Sequence, residues 1–178
     1  MTIEILVPTG GRTLGGATRA VIETLLSKGF QNIDAPDSGV LEVELRNVDE
    51  EEHARSVPDE VSPADLGEEI KGNREILRVR VGLRLGCFLL YPGFCVLSRP
   101  DDYDAFEDDP RARQIIGREA LELARAFGAG ELLVCGDAAS DFLGTEATTW
   151  DQLCEVIQEE EVPHKRITIP PPKPRGDA

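Results

Sequence analysis

Residues 76–90 read ILRVRVGLRLGCFLL. From Leu77 every second position is apolar: Leu77, Val79, Val81, Leu83, Leu85 and Cys87. Between them stand Arg78, Arg80 and Arg84, with Gly82 and Gly86 in the same register. A period of two puts successive side chains on opposite faces, so the stretch predicts a β-strand with one apolar and one cationic face. YPGF at 91–94 follows, with Pro92 and Gly93 suited to the centre of a tight turn. FCVLS at 94–98 then reads as a return strand, so 76–98 predicts two antiparallel strands, the glycines marking a bend or bulge.

Working upstream, VLEVELRNV at 40–48 has the same period. Leu41, Val43 and Leu45 alternate with Glu42, Glu44 and Arg46, as in a half-buried strand. The two strands are expected on one sheet, arginines and glutamates on the same side. Cross-strand pairs of this kind contribute about 0.2–1 kcal/mol each. The same arginines are a potential strip for a carboxylate or phosphate ligand; the matched period of the two strands favours the ladder.

IEILV at 3–7 reads as a first strand. Ala17, Val21, Ile22, Leu25 and Leu26 recur at helical spacing and predict a helix near 16–28, ended by Gly29 with Phe30 packing back. The acidic run 49–72 carries Pro58 and Pro63 and is expected as an exposed excursion, holding a short helix from Pro63 to Lys71 capped by Ser62. Downstream, RPDDYDAFEDDP reads as an acidic loop. Asp109 and Pro110 open a helix that runs to Phe127 and stops at Gly128. ELLVC at 131–135 is an apolar strand and GDAASDFLGTEAT a polar loop. Thr148 and Asp151 suit a capping box for a helix over 149–160, with Trp150, Leu153, Cys154 and Ile157 as its apolar stripe. KRITI at 165–169 is a last strand, and the final β-α-β segment fits a right-handed parallel crossover. The expected fold is one α+β domain over residues 1–169, a mixed sheet packed with three main helices, followed by a disordered Pro-rich tail at 170–178.

The chain has 178 residues, enough to bury a real core in one domain. No apolar run is long enough to span a bilayer, and the start lacks a basic region followed by a long apolar one. A cytoplasmic location is the expectation. The four cysteines, Cys87, Cys95, Cys135 and Cys154, form no CxxC pair, and His53 and His164 are the only histidines. Neither a structural zinc site nor any cofactor is expected; buried free thiols are. Net charge is −15, from 34 acids against 19 bases. That disfavours nucleic acid and anionic membranes, which need a positive field, and permits a basic partner.

Three stretches carry candidate sites. TGGRTLGGATR at 9–19 places paired glycines between a strand and a helix. Aligned on a phosphate-binding loop, GxxxxGK[ST], it puts Ala17 where the lysine is required. What remains is a helix N-terminus with Gly10, Gly11, Arg12, Gly15, Gly16 and Thr18 as potential anion ligands, against a plain turn in which Thr13 caps the helix. In the acidic loop, Asp101, Asp102, Tyr103, Asp104, Phe106 and Glu107 mix acids with aromatics, a composition suited to capturing a basic protein. It lacks the order of a calcium loop. In CGDAASD, Asp137 and Asp141 follow a buried strand and form a potential metal or acid–base pair, without a nearby histidine or lysine.

In size and acidity alone the chain resembles small bacterial inhibitor and immunity proteins, a likeness that carries no residues across. The expected function is a non-catalytic interaction module binding a basic partner. The alternatives are an enzyme or binding protein for a phosphorylated small molecule at the glycine-rich loop, and a metal-assisted hydrolase at Asp137 and Asp141.

Overall fold

The computed structural model describes residues 4–27, 41–49, 51–57, 60–83, 86–98, 110–135 and 149–171. Among them are eight strands and four helices. The strands are β1 (Glu4–Pro8), β2 (Leu41–Asn47), β3 (Glu52–Val57), β4 (Ile76–Leu83), β5 (Gly86–Tyr91), β6 (Phe94–Ser98), β7 (Glu131–Cys135) and β8 (His164–Thr168). The helices are α1 (Leu14–Ser27), α2 (Pro63–Gly72), α3 (Pro110–Phe127) and α4 (Trp150–Glu159). All strands lie in one sheet, ordered β3-β2-β4-β5-β6-β1-β7-β8, and every neighbouring pair is antiparallel. The fold class is α+β.

The stretch at 76–98 holds three strands rather than two. β4 and β5 form a hairpin in which Gly82 pairs with Cys87 and Leu83 with Gly86. Directly paired residues share a face, so Cys87 stands on the arginine face and Phe88 and Leu90 on the apolar one. The sequence hides this because residues 87–90 are apolar throughout and carry no alternation of their own. The register also shifts between Arg46 and Asn47, where Ile76 pairs. At that irregular strand start Ile76 is buried and Leu77 is 51 % exposed, against the expected alternation.

Three further expectations change. β7 and β8 are antiparallel, so no parallel crossover closes the chain and the sheet is not mixed. The acidic excursion contains β3, an edge strand paired along its length with β2. Its outward groups at Ser56 are bonded by Glu60: the Ser56 amide donates to the Glu60 carboxylate, and the Glu60 amide to the Ser56 carbonyl. The capping box of α4 falls one residue later than expected, on Thr149 and Gln152. The cap of α2 is Ser62, whose hydroxyl accepts from the Asp65 amide at 3.1 Å. The expected tail at 170–178 lies outside the described residues beyond Pro171.

One face of the sheet carries Val7, Leu41, Val43, Val79, Val81, Phe88, Leu90 and Leu97 against α1, α2 and the buried Leu123, Ala124 and Phe127 of α3. The opposite face is covered unevenly. Leu153 and Ile157 of α4 pack on Leu6, Phe94, Val96 and Leu133, over β6, β1 and β7. On the same face of β2 and β4 the side chains are charged, because those strands alternate whereas β1 and β6 are apolar on both sides. Layering thus follows the hydrophobic pattern: a second helix layer lies where both faces of the strand are apolar.

Candidate functional site

The glycine-rich turn links β1 to α1 and lies against the end of α3. Thr13 begins α1: its hydroxyl accepts from the Gly16 amide at 3.2 Å, and its carbonyl from the Ala17 amide at 2.8 Å. Those are the bonds of an N-cap residue. The Thr18 hydroxyl is buried and donates to the Leu14 carbonyl at 2.8 Å. The Arg12 guanidinium donates to the Thr9 carbonyl at 3.1 Å, Phe127 at 2.7 Å and Ala126 at 3.0 Å, and lies 5.6 Å from the Phe127 ring centre. It places positive charge on the last carbonyls of α3, where the helix dipole is negative.

The glycines answer to the same contacts. Gly10 has φ +64°, and a Cβ there would come within 2.6 Å of the Phe127 carbonyl oxygen. A Cβ on Gly15 would overlap the Gly67 carbonyl oxygen and stand 2.9 Å from the Lys71 amide nitrogen. Gly15 is therefore where α1 and α2 cross backbone to backbone. Of the six anion-ligand candidates, Arg12, Gly10, Gly15 and Thr18 make these internal contacts. Gly16 donates to the cap, and Gly11, at φ +75°, would meet nothing with a Cβ.

The charged half of the sheet is an ordered ladder. Arg80 is directly opposite Glu44, with Nη1 3.0 Å from the carboxylate. Arg78 is directly opposite Arg46, and its Nη2 reaches Glu52, on the far side of Arg46, at 3.4 Å. The third arginine of the sequence pattern, Arg84, lies outside the described residues. Burial lowers the pKa of the Arg80 guanidinium, and its neighbours Cys87 and Glu44 raise it by more. Burial pushes the Cys87 thiol up, opposed by Arg80 and Arg78. Burial likewise raises the Tyr91 hydroxyl, against Arg78, which hydrogen-bonds it, and Arg46.

The thiols are not activated. Burial, with smaller effects from Glu4 and Cys154, pushes Cys135 up to about 12. Cys95 and Cys154 are raised by burial too. A nucleophilic cysteine needs the opposite shift. All four cysteines are free. Among the described residues no three histidine, cysteine or acidic side chains are grouped to hold a metal, and no helix is long and apolar enough to cross a membrane. The candidates Asp101, Asp102, Tyr103, Asp104, Phe106 and Glu107, and the pair Asp137 and Asp141, lie outside the described residues.

One surface passed unremarked in the sequence reading. The outer side of α4 and the turn after it carry Asp151, Glu155, Glu159, Glu160 and Glu161, all exposed, and α4 has no base in its last turn. None of the five forms an ion pair among the described residues. The legible signal was the i, i+4 spacing of 151, 155 and 159, which puts three carboxylates in one row. Several acids elsewhere are paired: Glu23 with Arg19, Glu69 with Arg55, Glu68 with Lys71, Glu131 with Arg166.

Fold and surface together define an α+β protein on one antiparallel sheet, with α4 over β6, β1 and β7 on its second face and acidic on its outer side. Comparison of the chain with protein-family models, curated proteins and solved structures finds no match.

Proposed function

We propose that this chain is a non-catalytic interaction module that binds a basic protein partner through the outer face of α4. The observation that carries the reading is the unpaired acidic row at 151–161. Like charges at i, i+4 oppose a helix by about 0.2–0.5 kcal/mol per pair. Carboxylates at a helix C-terminus oppose its dipole by about 0.3–1 kcal/mol at low salt. Asp151, in the first turn, is favoured by the dipole; the like charges along the row and the acids at its C-terminal end work against the helix, and a cationic partner relieves both effects on binding. The net charge of −15 extends the attraction into solvent and speeds encounter. Four thiols without disulfides accord with a reducing, cytoplasmic setting. The glycine-rich loop lends little to a phosphate-binding reading, because Arg12 spends its donors on backbone carbonyls.

The test uses a labelled decalysine peptide, followed by fluorescence anisotropy at several salt concentrations. Glu155→Gln/Glu159→Gln/Glu160→Gln is compared with Glu68→Gln/Glu69→Gln/Glu75→Gln, which removes the same charge from α2 and its following turn. The expected result is binding that weakens with salt and is lost about tenfold more in the α4 variant. Equal losses in the two variants would show attraction to net charge alone and defeat the assignment to α4.

A further inference from the structure

The sheet has two edges, β3 and β8, and they are treated differently. At β3 the outward amide and carbonyl of Ser56 are both bonded by Glu60. β8 has β7 as its single neighbour. The Ile169 amide donates to the Gly130 carbonyl at 2.8 Å, which fixes the alternation of that ladder. Counting from it, Ile167 and Lys165 exchange their backbone bonds with Leu132 and Val134. The amides and carbonyls of His164, Arg166 and Thr168 therefore point away from the sheet, and no bond to them is made among the described residues. His164, Lys165, Arg166 and Thr168 are exposed, so this edge is open to solvent.

An open edge is a template for another strand, and a second copy of β8 fits this one in a single register. Antiparallel pairing about a two-fold axis must match the outward-pointing residues of the two copies. With Arg166 on the axis, Arg166 faces Arg166. With Lys165 on the axis, Lys165 faces Lys165 and His164 faces Arg166. With Thr168 on the axis, Arg166 faces Pro170, which has no amide to give. With Ile167 on the axis, Arg166 faces Thr168, Lys165 faces Ile169 and His164 faces Pro170. Like charges directly opposite destabilise a ladder, and this last register alone avoids them while keeping the bonds of Arg166 and Thr168. It also sets Ile167 against Ile167. That side chain is half-buried against the main core, so the apolar layer continues across the axis. The Arg166 charge is already met, because its Nη1 donates to both Glu131 oxygens at 2.9 and 2.8 Å. We infer that β8 is a self-association surface through which two copies of the chain join in one continuous sheet. Glu60 at β3 keeps the other edge from propagating the pairing, so the assembly closes at a two-fold dimer. In it the two α4 helices, each over β6, β1 and β7, stand five strand spacings apart, roughly 24 Å. Their carboxylates are screened from each other at physiological salt, where the Debye length is about 8 Å. At low salt the chain charge of −15 opposes the dimer.

The experiment is sedimentation velocity on the full chain over roughly 10 μM to 1 mM, at low and high salt. The expected result is a monomer–dimer equilibrium that tightens severalfold as salt rises, the opposite of the salt response expected at the acidic row. Thr168→Pro removes an amide that points away from β7, so the monomer keeps its ladder while the dimer is expected to weaken at least tenfold. Ala54→Pro makes the same change at an outward position of β3 and is expected to leave the dimer unaltered. Hydrogen exchange at the Arg166 and Thr168 amides should slow as protein concentration rises. A chain that stays monomeric throughout, a dimer that survives Thr168→Pro or is lost in a folded Ala54→Pro, or growth past two copies overturns the inference. Should Thr168→Pro fail to fold, exchange in the parent decides, and amides that do not slow with concentration overturn it. None of these variants touches α4 and no cationic peptide is used, so failure here leaves the reading of the acidic row standing.

Discussion

Arg12 is the residue on which two readings of the glycine-rich turn part. As a cation presented to a ligand, it would be dispensable for stability. In the structure it donates three hydrogen bonds, at 3.1, 2.7 and 3.0 Å, to the carbonyls of Thr9, Phe127 and Ala126, and lies over the Phe127 ring. Arg12→Ala removes the donors and leaves the carbonyls at the end of α3 to water. Bonds from a charged donor contribute about 1.5–3 kcal/mol, shared among carbonyls that are partly hydrated after the change. The ring contact adds about 0.5–1 kcal/mol and the charge at the helix terminus about 0.3–1 kcal/mol. These overlap, so the expected loss is about 2–4 kcal/mol, which lowers Tm by about 6–12 °C at this chain length. Circular dichroism followed through urea and thermal unfolding measures it. Arg12→Lys, keeping the charge without the fork, should recover less than half. A loss below about 0.5 kcal/mol in Arg12→Ala would refute the reasoning, since a clamp between the first turn and α3 cannot be removed so cheaply.

Three further outcomes follow from the geometry. Gly15→Ala drives a methyl into the Gly67 carbonyl; the α1–α2 crossing must open, with an expected loss of about 1–3 kcal/mol in urea unfolding. Thr149→Ala deletes the capping box of α4 and should lower stability by about 0.5–2 kcal/mol, with a weaker helical signal at 222 nm as the second readout. Cys135, held near 12 in the fold against an ordinary thiol value near 9, contributes stability that is fully present below pH 9 and is lost as pH rises toward 12, because only the unfolded chain ionises there. Stability measured from pH 8 to 11 should therefore fall less steeply in Cys135→Ala than in the parent; parallel curves would reject this role for the thiol.

Much of the fold was readable because local signals and burial agree. The alternation at 41–46 and 78–81 specifies strands whose apolar faces meet α1 and α2, and the pairing of Glu44 with Arg80 follows from two matched polar faces. Ser62–Pro63 at α2, Gly128 at the end of α3 and the stripe of α4 act within a turn or two of the chain, so a linear reading reaches them. The hairpin at 83–86 was illegible because residues 87–90 are apolar on both faces, and an apolar run has no parity to lose. β3 was illegible for a different reason. Only its last residue, Val57, is buried, and the rest show no apolar alternation; they form a strand because β2 supplies the ladder.

For the candidate sites the division is sharper. By itself the sequence determined that TGGRTLGGATR lacks the lysine of a phosphate loop, that the chain carries a large negative charge, and that strands with arginine and glutamate faces belong together. It could not say where Arg12 points, because the two carbonyls it holds at α3 are more than a hundred residues away. Nor could it set Arg46 opposite Arg78, which depends on strand register, or place α4 over β6, β1 and β7. Those choices belong to the tertiary structure: antiparallel pairing decides which charges become neighbours, and the distribution of apolar area between the two faces decides where the last helix lies.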